Sequence, residues 1–179
     1  MKILVFTEGT IFIHKRWVNL QREEIVKLVK SWSSLSREEL EKLKNSGTAP
    51  GLGDYTGSVP IGDCVKKIQT WKKQGATIMY LTSRTKAEEI QIIKELLKKY
   101  HFPEGELLFR KVGEEYKDVA ERTFPDVIVE DDCESIGGES EMTYPCIKPE
   151  MKAKIKAIVV KEFGGIDHLP GDITELLRY

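Results

Sequence analysis

The sequence predicts an α/β protein built on a parallel central sheet, and three observations carry that prediction. Short apolar runs rich in β-branched residues recur along the chain, each closed by a polar or glycine-containing turn, the pattern of strands buried on both faces. Between the runs lie segments whose apolar residues repeat at helical spacing. The two patterns alternate, which implies right-handed crossovers over a Rossmann-like sheet. The first run, KILVF, stops abruptly at Thr7-Glu8-Gly9-Thr10 and is expected at the centre of the sheet. In open sheets of this kind chemistry sits beyond the carboxyl ends of the strands, so the Glu8 loop is the first candidate site.

Strands are expected at 3–6, 77–81, 107–109, 126–129 and 157–160. Ile25, Leu28, Val29 and Trp32 form one helical stripe that Ser33-Ser34 ends. Ser36 and Glu39 then spell a capping box, with Leu35 and Leu40 placed as a hydrophobic staple. Gly47 is expected to close this second helix before a loop over 48–62 that is rich in Gly and Pro. Val65, Ile68 and Trp71 share the next helix face, and Gly75 stops it. After the strand ending at Thr82-Ser83-Arg84, Thr85 and Glu88 suggest another capping box. The following helix would bury Ile90, Ile93, Leu97 and Tyr100. A helix over about 115–122 leads to the strand that ends in Glu130-Asp131-Asp132.

A chain of 179 residues, 40% hydrophobic and 32% charged, fits one globular domain with a proper core. With 28 basic against 29 acidic side chains, no global field favours nucleic acid or an anionic membrane. No apolar run approaches membrane-spanning length, and the first run is expected as a buried strand, not a signal peptide. Cys64, Cys133 and Cys146 are odd in number and lack CxxC spacing, so reduced thiols and a cytoplasmic location are expected. No internal repeat or low-complexity tract interrupts the chain.

The loop FTEGT and three later stretches resemble the motif series of the haloacid dehalogenase-like (HAD) superfamily, mostly magnesium-dependent phosphatases and related phosphoryl-transfer enzymes. That family's first motif is a buried strand followed by Asp, any residue, Asp, Gly, Thr. Aligned on Gly9-Thr10, Glu8 takes the second acidic position and Phe6 takes the first, where the family keeps its nucleophile and a metal ligand. TIMYLTSR supplies a second-motif Thr82 for a phosphoryl group, with Ser83 beside it and Arg84 as a further anion clamp. Lys117, with Lys111 as the fallback, matches the motif lysine, and VIVEDD supplies Asp131 and Asp132 for magnesium.

The resemblance implies a HAD-like Rossmannoid three-layer α/β/α fold with a parallel central sheet. It makes the chain one domain over 1–179, with 15–60 a small cap-like helical insertion after the first strand. The chemistry of each part has its own grounds. Magnesium takes oxygen ligands, and adjacent carboxylates raise each other's pKa unless a cation lies between them. Asp131-Asp132 therefore suits a weak Mg2+ site, or else a helix cap or solvated turn. Thr82, Ser83 and Arg84 at a helix start suit a phosphate, or else cap that helix. Glu8 retains the carboxyl needed for acid–base work, or serves as a turn residue. Phe6 reads as a packing or pocket-lining aromatic that Thr7 cannot replace, because Thr7 should face the other way. In the loop KEFGGIDHLP, His168 with Asp167 suits either a ligand or base role or a structural one.

Two functional classes follow. In the first, the chain is phosphohydrolase-like but degenerate, and holds a phosphorylated small molecule or phosphoprotein in a metal- and phosphate-binding crevice. In the second, it is a metal-dependent hydrolase in which Glu8 activates water directly on a phosphorylated substrate.

Overall fold

The computed structural model describes residues 1–46, 49 and 51–179. In chain order its strands are β1 (Lys2–Phe6), β2 (Phe12–His14), β3 (Ser58–Pro60), β4 (Thr77–Leu81), β5 (Glu106–Leu108), β6 (Val127–Asp131) and β7 (Lys156–Val160). The helices are α1 (Arg22–Ser33), α2 (Arg37–Ser46), α3 (Cys64–Lys73), α4 (Ala87–Lys99), α5 (Tyr116–Thr123), α6 (Pro149–Lys152) and α7 (Ile173–Leu176).

Five strands pair in parallel in the order β5-β4-β1-β6-β7, with β1 at the centre as expected. Alternate side chains face opposite sides of a strand, and each side of this sheet is covered. Ile3, Val5, Ile78, Tyr80, Val127 and Val129 pack with Ile68 and Trp71 of α3 and Ile93 and Leu97 of α4. On the other side Leu4, Met79, Leu81 and Ile128 pack with Val119 and Ala120 of α5. The result is a three-layer α/β/α sandwich whose chemistry-bearing loops all leave one edge.

The segment 15–60 adds a smaller cluster of Trp17, Ile25, Trp32 and Ala49, with Leu28, Val29, Leu35 and Leu40 against it. The antiparallel pair β2–β3 brackets this insertion. Phe163, from the loop after β7, stacks edge-on to Trp17 with centroids 5.9 Å apart, which fastens the insertion to the sheet. The Ser36–Glu39 capping box forms, each backbone amide donating to the other's side chain at 2.8 and 3.3 Å. Gly47, expected to end this helix, lies outside the described residues.

Three local expectations are corrected. Glu130 and Asp131 lie within β6 and do not follow it, because pairing continues through Glu130↔Val159 and Asp131↔Val160. A buried carboxylate is tolerated there because Glu130 accepts the Thr143 and Tyr144 amides at 2.7 and 2.9 Å. The loop over 48–62 contains β3, whose partner β2 was hidden by its shortness. Finally, α4 begins at Ala87 with Lys86 as its N-cap, so Thr85 and Glu88 form no box. The connection before α4 is instead held on Glu8 through Ser83.

Candidate functional site

Glu8 follows β1 directly, at the carboxyl edge between β1 and β4. Its Oε1 accepts from Thr82 Oγ1 at 2.6 Å, and its Oε2 accepts from the Ser83 amide at 2.9 Å and Ser83 Oγ at 3.2 Å. Thr7 Oγ1 lies 2.8 Å from the same Oε2. Thr7, expected to face away from the site, is fully buried, but its hydroxyl lies within reach of both Glu8 and the Leu81 carbonyl, the latter at 3.2 Å. Arg84 Nε stands 3.6 Å from Glu8 Oε1, donates to Ser83 Oγ at 3.0 Å, and lies over the Tyr55 ring with 4.3 Å to the centroid. The structure thus brings Glu8, Thr82, Ser83 and Arg84 together.

Phe6 is half-buried and meets Tyr116 edge-on, centroids 5.6 Å apart. The other face of the site is basic, through a residue the sequence reading passed over. Arg110, two residues past β5, lies over Tyr116 at 4.1 Å from the centroid, and its Nε is buried without a hydrogen-bond partner among the described residues. Burial pushes the Tyr116 phenol up in pKa, against the nearby Arg110 and Arg84 and with the nearby Glu8. Lys117 is not brought to this cluster: its ammonium pairs with Glu115 Oε2 at 2.6 Å. Lys111, the fallback, is exposed. The signal for Arg110 was its place just after an apolar run, the position that had singled out Arg84.

At the β6–β7 side the carboxylates do not converge. Asp131 Oδ2 accepts from Thr10 Oγ1 at 2.8 Å, and Oδ1 accepts from the Cys133 amide at 3.0 Å. Gly9 packs so closely here that a Cβ, already strained at a φ of 77°, would meet Asp131 Oδ2 at 2.8 Å. Asp132 instead accepts from the Glu162 amide at 3.0 Å and pairs with Lys161 at 3.0 Å. Burial raises the Asp131 pKa, only partly offset by Thr10 and the Cys133 amide. For Asp132 burial acts the same way, but the Glu162 amide and Lys161 outweigh it and the net shift is downward. Glu162 is buried and accepts from the Ser135 amide at 2.7 Å and Ser135 Oγ at 2.6 Å. Arg22 of α1 closes this side by donating to the Glu162 carbonyl at 2.9 Å and pairing with Glu134.

A resident magnesium ion would find few protein oxygens gathered here. Phe6 offers no oxygen, the two aspartates point to separate partners, and among the described residues no three His, Cys, Asp or Glu side chains form a group able to hold a metal. The KEFGGIDHLP loop is structural in its contacts. Asp167 accepts the Asp63 amide at 2.9 and 3.0 Å, while the exposed His168 ring lies beside Tyr179 at 6.4 Å.

This strand order, with two covered faces, defines a Rossmannoid α/β/α class. A solved structure similar to the chain supports the HAD-like form of this fold. A HAD hydrolase, family IA, variant 3, from Entamoeba histolytica matches with a TM-score of 0.52 and 13% identity, covering 99% of this chain and 97% of that one. The HAD domain of effector protein Lem4 from Legionella pneumophila, an inactive mutant, matches with a TM-score of 0.47 and 18% identity, covering 90% and 85%. No family model and no curated protein matches the chain.

Proposed function

We propose that this protein is a degenerate phosphohydrolase-type scaffold that binds a phosphorylated small molecule or phosphoprotein in the Glu8–Thr82–Arg84 crevice without forming an aspartyl-phosphate. One observation carries the reading: the hydroxyls, amide and guanidinium of the crevice gather on one carboxylate, the donor arrangement an anion cradle needs. Covalent catalysis lacks its nucleophile, because Phe6 occupies that position and packs on Tyr116. Direct water attack with Glu8 as base would have to use the remaining position on Oε1, because Thr82 Oγ1 already holds that oxygen and Ser83 and Thr7 surround Oε2. Arg110 takes the charge-neutralising place first given to Lys117, and binding is read as metal-independent.

The segment 15–60 acts in this reading as a small cap, its Tyr55 backing Arg84. No described helix is long and apolar enough to cross a membrane. The three cysteines are free, in keeping with a cytoplasmic protein.

The test is calorimetric titration with inorganic phosphate and phenyl phosphate, with and without magnesium, alongside a phosphatase assay on an aryl phosphate. Saturable binding that Thr82→Val weakens, with no turnover, supports the reading. Turnover abolished by Glu8→Ala would replace it with the hydrolase reading.

A further inference from the structure

We propose that Glu8 is a built-in occupant of the anion cradle, and that the ligand able to displace it is a phosphate dianion that reaches Arg110. The inference rests on the binding reading above and adds to it a competitor and a second contact.

An ionised carboxylate offers about four lone-pair positions. Glu8 Oε2 faces Thr7 Oγ1, the Ser83 amide and Ser83 Oγ, and its Oε1 accepts from Thr82 Oγ1, so the side chain engages the donors a phosphoryl group would need. A phosphoryl group that takes the Thr82 and Ser83 donors must displace the carboxylate from them. Any wild-type affinity is then reduced by the fraction of molecules in which Glu8 has swung away.

The cradle also holds more positive charge than Glu8 uses. Arg84 stands against Glu8, whereas Arg110 lies over Tyr116, with its buried Nε unpaired among the described residues. A buried donor left without an acceptor is costly, and an incoming group that pairs with it recovers that cost. A carboxylate tethered to the backbone at residue 8 presents two oxygens in one plane and leaves Arg110 Nε unsatisfied. A tetrahedral dianion presents three terminal oxygens, enough to take over the Thr82–Ser83 donors and turn a further oxygen toward Arg110. Both arginines lie on aromatic rings, which fixes their planes and lowers the entropic cost of pairing.

The experiment is calorimetry of inorganic phosphate, and separately of phenyl phosphate, into wild type, Glu8→Gln, Glu8→Ala and the double variant Glu8→Gln/Arg110→Met. Folding is checked by thermal melts, and Glu8→Ala serves where the glutamine amide opposes the cradle's donors. We expect at least one Glu8 variant to bind phosphate about tenfold or more tighter than wild type. Arg110→Met should remove most of that gain. A stronger gain with phenyl phosphate than with inorganic phosphate identifies an ester, and the reverse identifies the free ion. Wild type that binds as tightly as both Glu8 variants, yet loses affinity with Thr82→Val, would keep the crevice reading and discard the built-in occupant. Weaker binding in both Glu8 variants would make Glu8 a ligand contact and overturn the inference. Absence of binding in every folded variant would discard both.

Discussion

At the β1–β4 half of the sheet's carboxyl edge, one carboxylate sits among hydroxyls, an amide and a guanidinium, and a second guanidinium lies over the Tyr116 ring. At the β6–β7 half, Asp131, Asp132 and Glu162 each hold a different piece of backbone: the Cys133 amide, the Glu162 amide and the Ser135 amide. Both halves are built from residue types that the HAD-like pattern associates with phosphate and magnesium. Their geometry separates them. Around Glu8 the donors converge on one point, as a binding site requires; around Asp131 and Asp132 the acceptors diverge, as structural ties do. Substitutions in the first half should therefore change ligand binding, and those in the second should change stability.

The largest expected effect is in the second half. Glu162→Ala removes two charge-assisted hydrogen bonds and leaves the Ser135 amide buried without an acceptor, at a cost of about 3 kcal/mol. For a chain of this size that is a fall in Tm of about 6–12 °C. Differential scanning calorimetry checks it, and a fall below about 2 °C would show that the β6–β7 carboxylates are not ties.

Arg84→Ala is the counterpart in the first half. Its guanidinium is only part-buried and its contacts are local, so Tm should fall by less than about 3 °C. Phosphate affinity should fall about tenfold, the scale of one lost charge-assisted hydrogen bond. If this variant lost as much stability as Glu162→Ala, the contrast between the halves would collapse.

Arg22→Ala lies between these cases, because Arg22 joins α1 to the Glu162 carbonyl and to Glu134. A fall in Tm of about 2–4 °C is expected, together with several-fold faster proteolysis within α1 as the insertion loosens. Unchanged proteolysis would mean that Arg22 does not hold the insertion and that other ties, the Trp17–Phe163 contact among them, suffice.

The central strand, the parallel sheet and most helix faces were legible in the sequence, because burial on both sides writes long apolar runs and helical stripes. The pairing of β2 with β3 was not, since three-residue strands fall below any periodic signal. Glu8, Thr82, Ser83 and Arg84 could be found because strand ends and turn chemistry fix their positions. Asp131 and Asp132 show where such reasoning stops. Their adjacency suggested a shared cation, but whether two carboxylates converge depends on Thr10, Lys161 and the Glu162 amide, which are remote in sequence. Arg110 is illegible for the complementary reason: the motif pattern points to a lysine on the next helix, and only the fold lays the guanidinium past β5 over the Tyr116 ring.

The smallest expected effect sharpens the reading of Asp131 itself. Its pKa in the folded protein is raised, first by burial and then by the charges of Glu130 and Asp132, with Thr10 and the Cys133 amide opposing. A carboxyl with a raised folded pKa lends stability that is fully present below the unfolded value, about 4, and is lost as pH climbs through the folded value. Asp131→Asn is neutral throughout, and its side-chain oxygen can still accept the Cys133 amide. In melts recorded from pH 4 to pH 7, the variant should gain on wild type as pH rises. Glu130, Asp132 and Glu162 titrate in both proteins, so to first order their contributions cancel in the difference. A magnesium ion on Asp131 would reverse this, stabilising wild type and not the variant at pH 7 in proportion to occupancy. Repeating the pH 7 melts in 10 mM magnesium chloride should leave both Tm values within about 1 °C of their metal-free values. A rise of several degrees confined to wild type would show that the Thr10 and Cys133 contacts yield to a cation, and that the β6–β7 half is a binding site after all.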